Sequence, residues 1–184
     1  MTIVRSVFRI SPLIQITLIS LYIALTIPLP FLAKVTNAPV PAIILWIGII
    51  LGLLILVGAL SERVIINENQ IKVVYPIWFP SFFRQGWSLN WSEIKDLKLR
   101  TTGQGGLVYY FISENLEQAY LLPMRIAGFS SLVNVVTEKT GIDTTDIRPL
   151  SQPWMYLILL VCTLFLLLMD SWTIWTAINI GSSQ

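Results

Sequence analysis

The densest group of side chains able to make specific contacts lies at residues 75–84, whose sequence is YPIWFPSFFR. Aromatic rings and arginine are enriched where proteins bind one another. Two prolines cannot donate ladder hydrogen bonds, so the stretch is predicted to be a loop or a strand edge. We predict that a partner docks here, through Trp78, Phe79, Phe82, Phe83, Arg84 and the nearby Trp87.

Two other uses of these rings remain open at the level of sequence. Some of them can fill the core of a small domain. Others can lie in the headgroup layer of a bilayer, which suits amphipathic aromatic side chains. If the rings are displayed, Trp78, Phe82 and Phe83 are the ones expected at the surface.

Catalytic chemistry has few candidate residues in this chain. There is no histidine, and the one cysteine, Cys162, lies inside an apolar run. This excludes imidazole catalysis, an internal disulfide, a CxxC redox pair and a cysteine-based zinc site. We therefore expect neither enzymatic activity nor a metal site, and no cofactor of its own. A pigment or lipid would come with a partner complex.

The composition is that of a membrane protein, with 55% hydrophobic residues, 12% charged residues and a mean hydropathy of +0.74. Soluble domains carry about 25% charged residues. Charge is absent from three stretches that are each long enough to cross a bilayer as a helix. We predict a hairpin in residues 1–61, with helices at about 11–33 and 41–60, and a third helix with a short tail in residues 151–184. A cleaved signal peptide competes for the first segment, but a second apolar run follows at once.

Four residues of these segments are candidates for helix contacts. Gly48 and Gly52 form a small-xxx-small pair that permits close helix approach, either within the chain or to a partner. Asp170 would lie at the far membrane interface if the third span ends near Met169, and inside the span if it extends to Ile180. Lys34 is expected on the same side, so an ion pair between Lys34 and Asp170 is predicted.

Basic residues set the predicted orientation. Arg5 and Arg9 precede the first helix, Arg63 follows the second, and Arg148 precedes the third. The N-terminus and the middle of the chain should therefore be cytoplasmic, with the C-terminus on the opposite, lumenal side.

Residues 62–150 form the predicted extramembrane domain, with nine basic and nine acidic residues. Their apolar period changes from helical to alternating, which indicates strands. The strands are expected at residues 63–66, 71–75, 86–90, 97–100, 107–113 and 118–124. A helix capped by Ser130 or Ser131 should then end at Gly141. The predicted fold class is an α-helical membrane protein with an inserted α+β domain, whose strongly curved antiparallel sheet is closed by one C-terminal helix.

This order of elements, with Trp91-Ser92-Glu93-Ile94 leading into a strand, resembles the bacterial pleckstrin-homology-like domains found beside membrane hairpins. In layout it is most similar to the photosystem I assembly factor family of plastids and cyanobacteria. The stretch 71–100 carries the likeness, with its Trp78-Phe79-Pro80 turn, Arg84 and Glu93-Ile94-Lys95-Asp96-Leu97. The third hydrophobic segment is an addition to that family's layout.

The resemblance implies a non-catalytic assembly or scaffold factor in thylakoid membranes. Its partners would be membrane subunits of photosystem I or of the photosystem II reaction centre, or other assembly factors, and not nucleic acid. The alternative is a generic bacterial membrane protein whose cytoplasmic domain binds or senses the lipid surface or another membrane complex.

Overall fold

The structure is a computed structural model that describes residues 6–80, 82–101, 107–113, 119–145, 147 and 153–181. The chain divides into two compact units. One unit contains residues up to Ser11 together with Ser61–Gln152, and the other contains Pro12–Leu60 together with the residues from Pro153 onward. The sequence also predicts a flexible hairpin loop at residues 103–106 and a hairpin turn at residues 114–117, and both lie outside the described residues.

Seven strands and five α-helices make up the described chain. In order, they are β1 (Ser6–Arg9), α1 (Pro12–Thr26), α2 (Pro28–Val35), α3 (Ala42–Ala59), β2 (Arg63–Ile66), β3 (Gln70–Val74), β4 (Trp87–Asn90), β5 (Ile94–Thr101), β6 (Leu107–Ser113), β7 (Ala119–Leu121), α4 (Phe129–Thr140) and α5 (Pro153–Gly181). A single 3-10 turn, Trp91–Glu93, joins β4 to β5.

The β-rich unit contains two antiparallel sheets among its described residues. One sheet has the order β1-β2-β3-β4, and the other has the order β5-β6-β7. Where the sequence predicts one curved sheet, the described residues thus form two sheets, and the 3-10 turn connects the last strand of the first sheet to the first strand of the second. Glu93 accepts a hydrogen bond from the backbone N–H of Asn90, which stabilises the turn that interrupts the strands.

The core of this unit follows from the period of two along its strands. In β2 and β3, Val64, Ile66, Ile71 and Val73 are buried while their neighbours face outward. Alternate side chains of a strand point to opposite faces, so one face of the sheet is apolar. Helix α4 adds its own buried residues to the same core: Phe129, Leu132, Val133 and Val136.

Strand β1 was not predicted from the sequence, which assigned residues 1–61 to the membrane hairpin. In the structure β1 pairs with β2, with Val7 opposite Ile65. A further bridge joins Ile10 to Ile126. Four residues are too short for a recognisable alternation, and their partner strand lies beyond three helices in the sequence. Strand β1 therefore belongs to the β-rich unit.

Helix α4 occupies the predicted position, but it starts two residues earlier than a cap at Ser130 would allow. Gly128, with φ at 76°, is the N-cap, and neither Ser130 nor Ser131 caps the helix. Gly141, with φ at 71°, ends it, as predicted. A glycine adopts this left-handed conformation without a Cβ clash.

The helical unit contains three segments long and apolar enough to cross a membrane: Pro12–Val35, Ala42–Ala59 and Pro153–Asn179. This agrees with the predicted number and order of spans. The first segment is interrupted at Ile27, because Pro28 has no N–H to continue the helix.

Helix α5 continues well past Met169, where the sequence allowed it to end. Its serine and threonine hydroxyls donate hydrogen bonds to carbonyls within the helix. The hydroxyls of Ser171 and Thr173 donate to the carbonyls of Leu167 and Met169, four residues earlier. Polar residues near the end of an apolar span therefore do not stop the helix.

Candidate docking surfaces

The aromatic loop, which we define as residues 75–86 between β3 and β4, carries five of the six predicted docking residues. Trp78, Phe82, Phe83 and Arg84 are exposed, and Phe82 reaches 84% exposure. Phe79 is only 6% exposed, so its ring is not available to a partner. The loop thus displays three of its four predicted docking rings.

Phe79 forms the base on which the displayed rings rest. Its ring centroid lies 6.2 Å from that of Trp78 and 6.0 Å from that of Phe83. The centroids of Phe82 and Phe83 are 4.5 Å apart. Such separations are typical of packed aromatic pairs. The displayed rings therefore form one cluster built on a buried ring.

Trp87, the sixth predicted docking residue, lies in β4 and is half-buried. Its ring packs against Phe111, with centroids 6.1 Å apart, and against Tyr120 at 5.2 Å. These contacts belong to the core of the β-rich unit. Trp87 thus packs against the core of the domain. Core packing is the use that the sequence left open for some of the aromatic rings.

A polar cluster that the sequence did not indicate holds one end of the aromatic loop. A guanidinium nitrogen of Arg84 lies 4.0 Å from a carboxylate oxygen of Glu62, and Arg84 donates a hydrogen bond to the Tyr75 hydroxyl at 3.5 Å. The side chain of Glu62 is 15% exposed, whereas that of Arg84 is 54% exposed. Arg84 therefore joins a half-buried carboxylate on one side and faces solvent on the other.

Burial and the neighbouring positive charges act in opposite directions on the carboxyl of Glu62. Burial raises the pKa of Glu62 above its ordinary value of 4.5, and the charges of Arg84 and Arg125 and a hydrogen bond from Tyr75 oppose the rise. Burial also raises the pKa of Tyr75, so its hydroxyl stays protonated near neutrality. Together, the three side chains of Glu62, Tyr75 and Arg84 fix the loop to the start of β2; we call them the polar pin.

The two predicted packing glycines of α3 face different surroundings. A Cβ at Gly52 would collide with the hydroxyl of Tyr22 on α1, and that hydroxyl donates a hydrogen bond to the carbonyl of Ile49 at 2.8 Å. Around Gly48, a Cβ would meet nothing within 4 Å. Gly52 is therefore used inside the chain, whereas Gly48 is an open notch beside exposed aliphatic side chains: Ile44, Ile47, Leu51 and Ile55.

Asp170 lies in the face of α5 that packs within the helical unit. Seven-residue spacing places it in one stripe with Tyr156, Thr163 and Ala177, and the hydroxyl of Thr17 on α1 donates to the carbonyl of Tyr156. One carboxylate oxygen of Asp170 is buried without a hydrogen-bond partner.

The ion pair predicted between Lys34 and Asp170 is not present in the described part of the chain, where the pair within 4.0 Å joins Arg84 and Glu62. Asp170 lies in the packed stripe of α5, whereas Lys34 is in the last turn of α2. Within the described ranges, no three histidine, cysteine or acidic residues come together as metal ligands would.

Comparison with known proteins gives one informative relative. No family model and no solved structure matches the chain. The uncharacterized protein slr0269 of Synechocystis sp. (strain ATCC 27184 / PCC 6803 / Kazusa) is 56% identical over 163 residues, which is 88% of this chain and 82% of that protein. At this identity and coverage, the chain belongs to the same family as the cyanobacterial protein slr0269.

Proposed function

We propose that the chain is a non-catalytic, membrane-anchored adaptor that assists the biogenesis of a photosystem in the thylakoid membrane. The client would be a membrane subunit of photosystem I or of the photosystem II reaction centre. The observation that carries the proposal is the free surface of α3. Gly58 is the buried residue of this helix, while most of its aliphatic side chains point away from the rest of the chain.

The notch at Gly48 makes this surface suited to another helix. In lipid, helices associate through close packing and not through the hydrophobic effect, because lipid tails are as apolar as leucine. A glycine lets two backbones approach, and the branched side chains of Ile44 and Ile47 lose little rotamer freedom on packing. An adaptor of this kind would hold a client helix laterally until its final partners arrive.

Two further observations support a photosystem as client. The order of elements resembles the photosystem I assembly factor family, and the relative with 56% identity comes from a cyanobacterium. In this proposal the β-rich unit lies on the cytoplasmic side, and any pigment arrives with the client.

Affinity purification from mildly solubilised cyanobacterial membranes tests the proposal. We expect photosystem subunits to co-purify with the tagged full-length chain. Gly48→Leu should lower their recovery several-fold, because the side chain fills the notch. Quantitative mass spectrometry of the eluates gives the measurement, with the tagged chain itself as the internal standard.

Ile50→Phe is the matched control. It also adds bulk to the exposed surface of α3, but helical geometry of about 100° per residue places it about 160° away from Gly48. The Ile50→Phe variant should recover as much of the client as the unchanged protein does. Recovery of the chain without any photosystem subunit would refute the proposed client, and equal losses in both variants would refute the notch as the contact.

A further inference from the structure

The polar pin that holds the aromatic loop includes a residue very close in sequence to the end of α3. Glu62 of the polar pin is the second residue after Leu60, which caps α3. Consecutive Cα atoms are 3.8 Å apart, so the backbone keeps Glu62 within about 8 Å of that cap. Because Arg84 contacts Glu62, the base of the loop is held close to the point where the chain leaves the helix.

The apolar part of the loop is preformed. Ile77 is fully exposed, and Trp78, Phe82 and Phe83 are exposed around the buried ring of Phe79. A group of displayed rings of this kind marks a surface that is covered in the working protein. Since the rings already pack against one another, little order has to be gained when the surface is covered.

The charge of the aromatic loop favours the headgroup layer of a bilayer as the surface that covers it. Residues 75–86 contain no acidic side chain, and their one cation, Arg84, is 54% exposed beyond its contact with Glu62. Tryptophan, arginine and an apolar tip suit the boundary between headgroups and acyl chains, where anionic phosphates are available. A protein partner could use the same residue types, but a bilayer crossed by α3 would begin only a few residues along the chain from Glu62, whether or not a partner is present.

We propose that residues 77–83 insert into the headgroup layer of the membrane that α3 crosses, with Arg84 at the level of the lipid phosphates. The polar pin then sets the depth of insertion, because it ties the loop to Glu62, the second residue after the cap of α3. The β-rich unit is thereby anchored to the bilayer at a second point besides its covalent links to the helices. This inference requires α3 to span the membrane, but it does not depend on the identity of any client.

Site-directed spin labelling of the full chain tests the insertion. In a Cys162→Ser background, a nitroxide is attached at Phe82→Cys, and the protein is reconstituted in vesicles of equal parts phosphatidylcholine and phosphatidylglycerol. Power saturation compares collisions with oxygen, which concentrates in lipid, and with a water-soluble nickel chelate. We expect the oxygen-to-nickel ratio at position 82 to be several-fold above that of a label at Glu138→Cys on α4.

Two reference sites make the result decisive. Phe165→Cys, exposed on α5, gives the value for a lipid-facing position, and Glu138→Cys gives the value for water. A label at position 82 that matches Glu138→Cys would overturn the proposal. If a label at position 82 were exposed to water in the vesicles but shielded from it in native membranes, a protein partner would cover the loop. That outcome would also overturn the proposal.

An unlabelled measurement guards against perturbation by the nitroxide. Trp78→Phe removes the fluorescence of one exposed ring, and the difference between the two proteins reports on Trp78 alone. Brominated lipids in the same vesicles should quench that difference signal. Its persistence at full intensity would contradict insertion. Because the vesicles contain no other protein, neither result depends on the proposed photosystem client.

Discussion

At the scale of single residues, burial makes ionisation of Glu62 less favourable than it is in water. Burial raises its pKa above 4.5 despite the neighbouring Arg84. A carboxyl with a higher pKa in the folded than in the unfolded chain binds more protons when folded, so the free energy of unfolding falls as the pH rises between the two pKa values. We expect thermal unfolding in detergent to show this decline above about pH 4.5, and Glu62→Gln to remove it.

The contribution of Glu62 must be measured as the difference between the unchanged protein and Glu62→Gln, because other groups titrate in the same pH range. Asp143, whose pKa is lowered by hydrogen bonds from Thr145, contributes with the opposite sign and loses its contribution as the pH falls. Asp143→Asn should therefore alter the profile below pH 4, while Glu62→Gln alters it above. If the free energy of unfolding of the unchanged protein minus that of Glu62→Gln rose with pH, the fold would favour the ionised carboxylate, and the prediction would be wrong.

Residue-level contacts were also where the sequence was least informative. The three rings expected at the surface are indeed the exposed ones, Trp78, Phe82 and Phe83. The aromatic run has no period, however, that indicates how these rings pack on the buried Phe79. The polar pin joins residues that are distant in the chain, and neither Glu62 nor Arg84 has a neighbour in the sequence that indicates the pair. Such contacts are decided by the fold and not by local patterning.

At the scale of elements, periodicity was a sufficient guide where a strand or helix buries one face. The alternation in β2 and β3 and the apolar spacing in α4 predicted both their type and their position. It failed for β1, whose four residues show no usable pattern, and for the end of α5, where satisfied hydroxyls prolong the helix. Local propensity is a weak prior that tertiary pairing overrides.

The end of α4 gives a prediction that belongs to this scale. Gly141 has φ at 71°, and a Cβ there would meet nothing within 4 Å, so substitution costs only backbone strain. We expect Gly141→Ala to destabilise the β-rich unit by about 1–2 kcal/mol, because a left-handed conformation is unfavourable for alanine. Thermal unfolding of the detergent-solubilised chain measures the loss.

Asparagine provides the control for this helix end, because it tolerates the left-handed conformation better than alanine does. Gly141→Asn should therefore unfold at a midpoint between those of the unchanged protein and Gly141→Ala. Equal losses of stability for both substitutions would point to a steric clash at position 141. No loss of stability for either would mean that the end of α4 does not require a left-handed glycine.

At the scale of the whole molecule, crossing of the membrane by all three apolar segments would place Glu138 and Ser183 on opposite sides. The basic residues Arg5, Arg9, Arg63 and Arg148 predict that the flanks they occupy are cytoplasmic. We therefore expect a membrane-impermeant maleimide to label Glu138→Cys directly in thylakoid vesicles whose cytoplasmic face is outward. Ser183→Cys, in the tail after α5, should react only after detergent is added. Both variants carry Cys162→Ser, so that α5 contributes no thiol of its own.

The pattern of labelling separates the spans from one another. Direct reaction at both positions would mean that α5 does not cross, and the chain would then have two spans with both ends cytoplasmic. Reaction at Ser183→Cys alone would reverse the orientation and place the β-rich unit in the lumen. A lumenal unit could not meet cytoplasmic loops of a nascent subunit, so this outcome would remove the proposed role while leaving insertion of the aromatic loop to be tested on the other leaflet.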